Sequence, residues 1–265
     1  MAAVRRTKNG SSQKVSASRA RHRGVQGRGS TSAGTMPPSL TDMGRLPVDA
    51  EMRASHTDRS IVAIFSLTSL FLMASSTLHA DSLLGASASL LGGFVAADAV
   101  SGIFHWSVDN YGTDNHPVFG SVIDAFQGHH KWPYIIASRD PCNNLSSVSK
   151  AGTLLCVLLW LAPLPPSAAL FACSTVTFSS LSQQFHAWSH TKPSSLPPAV
   201  KALQSSNILI GCGEHGVHHK SPHAIRYSIV SGWTNPVFDQ LGIFRRLERL
   251  IVWLGGPAPR CWAHA

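Results

Sequence analysis

The chain has 265 residues, 44% of them hydrophobic and only 13% charged, with a mean hydropathy of +0.06. A soluble domain usually carries about 25% charged residues, so long uncharged runs must exist and a wholly disordered chain is excluded. The net charge of +9 is not a nucleic-acid signature, because residues 1–41 hold Arg5, Arg6, Lys8, Lys14, Arg19, Arg21, Arg23 and Arg28 with no acid, whereas the chain from Asp42 onward carries 14 basic against 13 acidic residues.

Residues 1–45 are rich in Ser, Thr, Arg, Ala and Gly and lack the apolar core of a secretory signal. This composition predicts an organelle transit peptide, and the abundance of Ser favours a chloroplast address. No aromatic residue is interleaved with the basic ones, so bases would have nothing to stack on, and no nucleic-acid partner is expected. Residues 46–60 read as a linker and 61–265 as a membrane-embedded domain.

Four runs in that domain are long enough to cross a bilayer. Ile61–Leu78 has no charge, and eighteen helical residues span about 27 Å. Ser82–Phe104 follows a three-residue turn and carries one acid, Asp98. Leu145–Ala162 carries only Lys150, and ends at the helix-breaking Pro163-Leu164-Pro165-Pro166. Ser167–Phe185 is again uncharged. The expected fold is all-α, with about four transmembrane helices in two hairpins. The short turns contain no Lys or Arg, while Arg53, Arg59, Lys131, Arg139, Lys150, Lys192, Lys201, Lys220 and Arg226 lie outside them. The positive-inside rule places those residues on one side of the membrane.

That side also receives the histidines. His105 and Asp109 are four apart, on one helical face. His129 and His130 are adjacent, His186 and His190 again four apart, and His215, His218, His219 and His223 close the series. Imidazole binds Zn, Fe, Cu and Ni, and the five cysteines form no C-x-x-C pair to select zinc. These ten residues are the candidate metal ligands. They exceed what one tetrahedral zinc needs and suit two irons. His223 could instead support a ligand, and Asp109 could orient one. Of the remaining histidines, His116 reads as a loop residue and His79 as a turn on the far side. His22, His56 and His264 fall in tails. Asp98 reads as facing a polar cavity, Glu214 as a solvated neighbour of His215, and Lys131, Arg139 and Arg226 as candidates to meet a lipid phosphate.

The segments G-I-F-H-W-S-V-D-N-Y-G, A-F-Q-G-H-H-K-W-P, Q-Q-F-H-A-W-S-H, H-G-V-H-H-K-S-P-H and S-G-W-T-N-P resemble those of the lipid desaturase family, over about residues 58–263. F-Q-G-H-H-K-W-P is most similar to the family's plant chloroplast form. The resemblance implies a membrane-bound oxygen-dependent desaturase, with two irons as cofactor and O2 as co-substrate. It implies a glycerolipid substrate, with phosphatidylglycerol bearing palmitate as the plant form's choice and a trans double bond near the carboxyl end as its product. It also implies ferredoxin as electron donor and a multi-pass chloroplast membrane location. An ether-lipid (plasmanyl) desaturase is the alternative within the same chemistry. A membrane zinc hydrolase, with about three ligands and a water, is the alternative outside it.

Overall fold

The computed structural model describes residues 52–264; the expected transit peptide, residues 1–45, lies outside the described residues. Among the described residues there is no β-strand, and ten α-helices follow one another: α1 His56–Leu78, α2 Leu83–Asn110, α3 Gly120–His129, α4 Tyr134–Ser138, α5 Pro141–Leu161, α6 Pro166–Ser189, α7 Pro198–Ser205, α8 Cys212–His218, α9 Asn235–Gln240 and α10 Ile243–Trp253.

Each long helix extends beyond its uncharged run because local chemistry places its ends. α1 starts five residues before Ile61, where Ser55 and Asp58 form a reciprocal capping box: Asp58 N–H donates to Ser55 Oγ (3.1 Å) and Ser55 N–H to Asp58 Oδ2 (2.9 Å). His56 is therefore on the first turn of a helix and not in a tail. Asp140 caps α5 by accepting from Cys142 N–H at 2.9 Å, with Pro141 at the first helical position. Ser82 caps α2 in the same way through Gly85 N–H. With 28 residues, α2 is about 42 Å long, more than the roughly 30 Å of a hydrocarbon core. A helix of that length crossing a bilayer would carry its last turns, with His105 and Asp109, to the aqueous boundary.

The two hairpins pack side by side. Phe65 meets Gly152, and Ser69 meets Cys156, so α1 and α5 run parallel. Phe94 meets Phe178, and His105 meets His186, so α2 and α6 run parallel too. The carboxyl ends of α2 and α6 therefore arrive together. Glycine permits the approach: a Cβ on Gly93 would lie 2.5 Å from the Phe171 carbonyl oxygen, and one on Gly152 would lie 2.6 Å from the Phe65 ring.

Three of these helices, α1, α2 and α5, are long and apolar enough to cross a membrane. The fourth expected span, α6, is a 24-residue uncharged helix but a more polar one, with Ser174, Thr175, Thr177, Ser179, Ser180, Ser182, Gln183 and Gln184. It packs against α1, α2 and α5, so neighbouring helices rather than lipid receive much of its surface. Ser174 Oγ, for instance, donates to the Leu90 carbonyl of α2 at 3.0 Å. Leu67, Phe71, Leu154, Leu158 and Trp160 point outward from α1 and α5, as lipid-facing residues do.

Candidate metal centre

Four segments converge at the carboxyl ends of α2 and α6. α2 brings His105 and Asp109; α6 and its cap bring His186 and His190; α3 and its cap bring His129 and His130; α8 and its cap bring His215, His218 and His219. Gln127 ties α3 to α2 by donating from Nε2 to the Val108 carbonyl at 2.9 Å.

The side chains sort into two groups. His129, His186, His190, His215 and His219 form one; His105, Asp109, His130 and His218 form the other. Within each group one ligating atom per residue lies within 4.8 Å of all the rest. In the first, His129 Nε2 is 2.9 Å from His190 Nε2, and His215 Nε2 is 3.0 Å from His219 Nε2. In the second, Asp109 Oδ2 lies 3.3 Å from His105 Nε2, 3.1 Å from His130 Nε2 and 3.3 Å from His218 Nε2. Ligands held about 2.0–2.1 Å from one ion stand about 2.9–3.4 Å apart along an edge of an octahedron or tetrahedron. The observed separations match such edges. The groups abut, with the His105 and His186 rings 5.4 Å apart.

Backbone carbonyls orient the rings. His105 Nδ1 donates to the Tyr227 carbonyl (2.9 Å) and His218 Nδ1 to the Ile225 carbonyl (2.8 Å), which leaves Nε2 as the bare ligating nitrogen. His186 is buried with neither ring nitrogen hydrogen-bonded, and Nδ1 of buried His215 is likewise unpartnered. An unsatisfied buried polar atom costs about 1–3 kcal/mol, and a bound cation would remove that cost at the nitrogen it engages. Burial, reinforced by the neighbouring imidazoles, pushes His129 and His215 well below the ordinary histidine range and His219 down to about 2. The neutral ring is the ligating form. No cysteine joins either group. An all-nitrogen set beside a three-nitrogen, one-carboxylate set fits iron and leaves no thiolate to favour zinc.

His223 lies outside both groups. Its ring is 4.3 Å from that of His130, and its Nδ1 donates to the His218 carbonyl at 3.1 Å. His116 is an exposed loop residue whose Nδ1 accepts from Val118 and Phe119 N–H, and His79 ends α1 at the opposite hairpin turn.

Three expectations change. Asp98 faces no polar cavity. Its Oδ1 accepts from the backbone N–H groups of Val230, Ser231 and Gly232, and its Oδ2 from Thr234 N–H and Oγ1. It clamps the S-G-W-T-N-P loop next to the stretch whose Ile225 and Tyr227 carbonyls orient the ligands. Glu214 is not merely solvated, because it pairs with Arg226, which also reaches Asp239 at 3.1 Å. Arg226 is thus neutralised by two carboxylates and is not free to meet a phosphate. Residue spacing carries no sign of these pairings: the Asp98 contacts join segments more than 130 residues apart, and those of Arg226 cross the turn between α8 and α9.

Comparison with known proteins bears on the same residues. A lipid desaturase domain is recognised over residues 94–262, more than half the chain and including all ten candidate ligands. The chain belongs to the lipid desaturase family. It is 42% identical over 172 residues, 65% of its length, to fatty acid desaturase 4, chloroplastic, of Arabidopsis thaliana, covering 53% of that protein. It is 32% identical over 191 residues to plasmanylethanolamine desaturase 1 of Mus musculus, covering 66% of this chain and 69% of that one. It is 34% identical over 194 residues to plasmanylethanolamine desaturase of Myxococcus xanthus, covering 69% and 66% respectively. The chain spans only about half the length of the first chloroplast relative. No solved structure matches it. The relatives are desaturases by name, and desaturases are oxidoreductases.

Proposed function

We propose that the protein is a membrane-bound di-iron acyl-lipid desaturase of the chloroplast, which introduces a trans double bond near the carboxyl end of palmitate in phosphatidylglycerol. The observation that carries the two-metal reading is the pair of abutting ligand groups, each the size of one coordination sphere. The plant substrate is favoured because the identity to the chloroplast relative is higher than to the plasmanylethanolamine desaturases.

The two irons, when bound, would supply the O2-dependent removal of two hydrogens from adjacent acyl carbons. The overall balance is one CH2–CH2 unit, one O2, two electrons and two protons giving one CH=CH unit and two waters. The chain's own residues do the rest. His129, His186, His190, His215 and His219 would hold one ion, and His105, Asp109, His130 and His218 the other. The Tyr227 and Ile225 carbonyls keep the Nδ1 protons of His105 and His218, so both rings offer Nε2. Burial of His105, His186, His215 and His218 keeps bulk water away from the reacting carbons. Location at the ends of α2 and α6 lets an acyl chain arrive from the bilayer while electrons arrive from the aqueous side, with ferredoxin as the donor that suits a plastid.

Lipid profiling tests the reading. Expression in a host lacking the activity should create trans-unsaturated C16 chains in phosphatidylglycerol. A vinyl-ether product in plasmanyl lipids instead would assign the ether-lipid substrate. Hydrolysis without O2 by a one-zinc protein would overturn both.

A further inference from the structure

The two ligand groups are made of imidazoles and one carboxylate, which offer little to a saturated hydrocarbon. Phe126, on α3, brings an apolar ring to both. Its ring centroid lies 5.2 Å from that of His105 and 6.1 Å from that of His186. These imidazoles belong to different groups. Among the described residues no other non-histidine ring contacts both groups; Tyr227 touches His105 and His218, which share one. On its other side Phe126 meets Phe104 edge-on at 5.8 Å. Phe104 is on α2, one residue before His105, and is 41% exposed on a helix apolar enough to cross the bilayer, beside exposed Val100 and Ile103. Phe126 itself is buried against Val108 and Ile123. The hydrogen bond from neighbouring Gln127 to the Val108 carbonyl fixes α3 on α2. Phe104 and Phe126 therefore form two contiguous rings from the exposed apolar face of α2 to the seam between the ligand groups.

We propose that the acyl chain enters along Phe104 and that the Phe126 ring sets its register, deciding which carbon–carbon bond lies at the seam. This rests on the desaturase reading and adds a specificity-determining residue to it. A run of identical methylenes has no polar handle, so only a fixed apolar wall can tell one position from the next. Pockets discriminate one methylene by about 10- to 200-fold. Phe126 is held by packing on one side and touches the ligand rings on the other, so it provides such a wall.

The test compares wild type, Phe126→Ala and Phe126→Leu, expressed in a lipid-producing host. Iron is measured in the purified proteins, and double-bond positions are measured by mass spectrometry of derivatised acyl chains. We expect wild-type iron content in both variants, with regioselectivity falling about tenfold or more in Phe126→Ala and less in Phe126→Leu, as neighbouring positional isomers appear. Phe126→Leu keeps most of the volume and serves if Phe126→Ala does not accumulate. Product confined to the wild-type position in Phe126→Ala, or in Phe126→Leu where Phe126→Ala does not accumulate, would overturn the role of Phe126 and leave it a packing residue, as would loss of iron and of all product in both variants. A wild-type chain that produces no double bond in any lipid would instead overturn the desaturase reading itself.

Discussion

His129 and His130 are consecutive in the chain, yet they serve different ligand groups, with ring centroids 6.3 Å apart and planes nearly perpendicular at 89°. His218 and His219 divide in the same way, at 84°. The i, i+4 pairs do the opposite: His105 with Asp109, His186 with His190, and His215 with His219 each stay in one group. On a helix, neighbours at i+1 diverge by about 100° while those at i+4 share a face. Double-histidine steps on α3 and α8 therefore let two short helices feed two adjacent sites.

This division predicts separable metal loss. Wild type should bind about two irons per chain, as two coordination groups require. His186→Ala should impair the five-histidine site and His218→Ala the carboxylate-containing one, each leaving close to one iron, and each abolishing desaturation because both ions act together. Elemental analysis of detergent-purified protein measures this directly. One zinc and negligible iron in the wild type would contradict it.

His223 separates ligation from support. It contacts His130 and bonds the His218 carbonyl without joining a group. His223→Ala should keep the full iron content while activity falls by about 10- to 100-fold, the usual effect of losing an outer partner. His116→Ala, at an exposed loop remote from both groups, should leave both unchanged. Loss of iron in His223→Ala would make it a ligand after all.

Asp98→Asn tests the clamp. Asparagine keeps one acceptor oxygen but turns the other position into a donor facing donors. Hydrogen bonds to a charged group are each worth about 1.5–3 kcal/mol, so a destabilisation of about 3 kcal/mol or more is expected. It should appear as a lower unfolding temperature in detergent, with iron bound more weakly at the group containing His105 and His218. Unchanged stability would show that the loop holds its place without the carboxylate.

Labelling tests the topology. Single cysteines at Ser138, Ser195 and Ser206, all exposed, and native Cys212 should react from one side of the membrane, and a cysteine at Asp81 from the other. Ser231 is unsuitable because it is buried and its N–H bonds Asp98. Any split among the first four positions would forbid a shared metal centre across a bilayer of about 30 Å.

Import into isolated chloroplasts should remove an N-terminal segment. The cut should precede Met52, because its carbonyl accepts from Asp140 N–H at 2.9 Å and helps join the starts of α1 and α5. Retention of residues 1–41 on a mature cytosolic or endoplasmic-reticulum protein would argue against the plastid address.

The uncharged runs and histidine spacings made the bundle and the nine clustered candidate ligands legible, because hydropathy and i, i+4 periodicity are local signals. What the sequence left open was long-range. Asp98 lies more than 130 residues from the loop it binds, and nothing around an acid in an apolar helix names its partner. Glu214 reads as solvated until Arg226 is folded against it. The division of His129 from His130 needs α3 to be set against α2, which the packing of Ile123 and Phe126 on Val108 and the side-chain bond from Gln127 accomplish together.

The Asp98 clamp also imposes an order on biosynthesis. Chains are made from the N-terminus at about 5–20 residues per second, so α2 can enter the membrane while the residues from Tyr227 to Thr234 are still unmade. Until they emerge, the Asp98 carboxylate and the His105 Nδ1 have none of their eventual backbone partners. The ribosome must therefore make nearly the whole chain before Asp98 and His105 acquire these partners, and a chain truncated before Tyr227 would leave both without them.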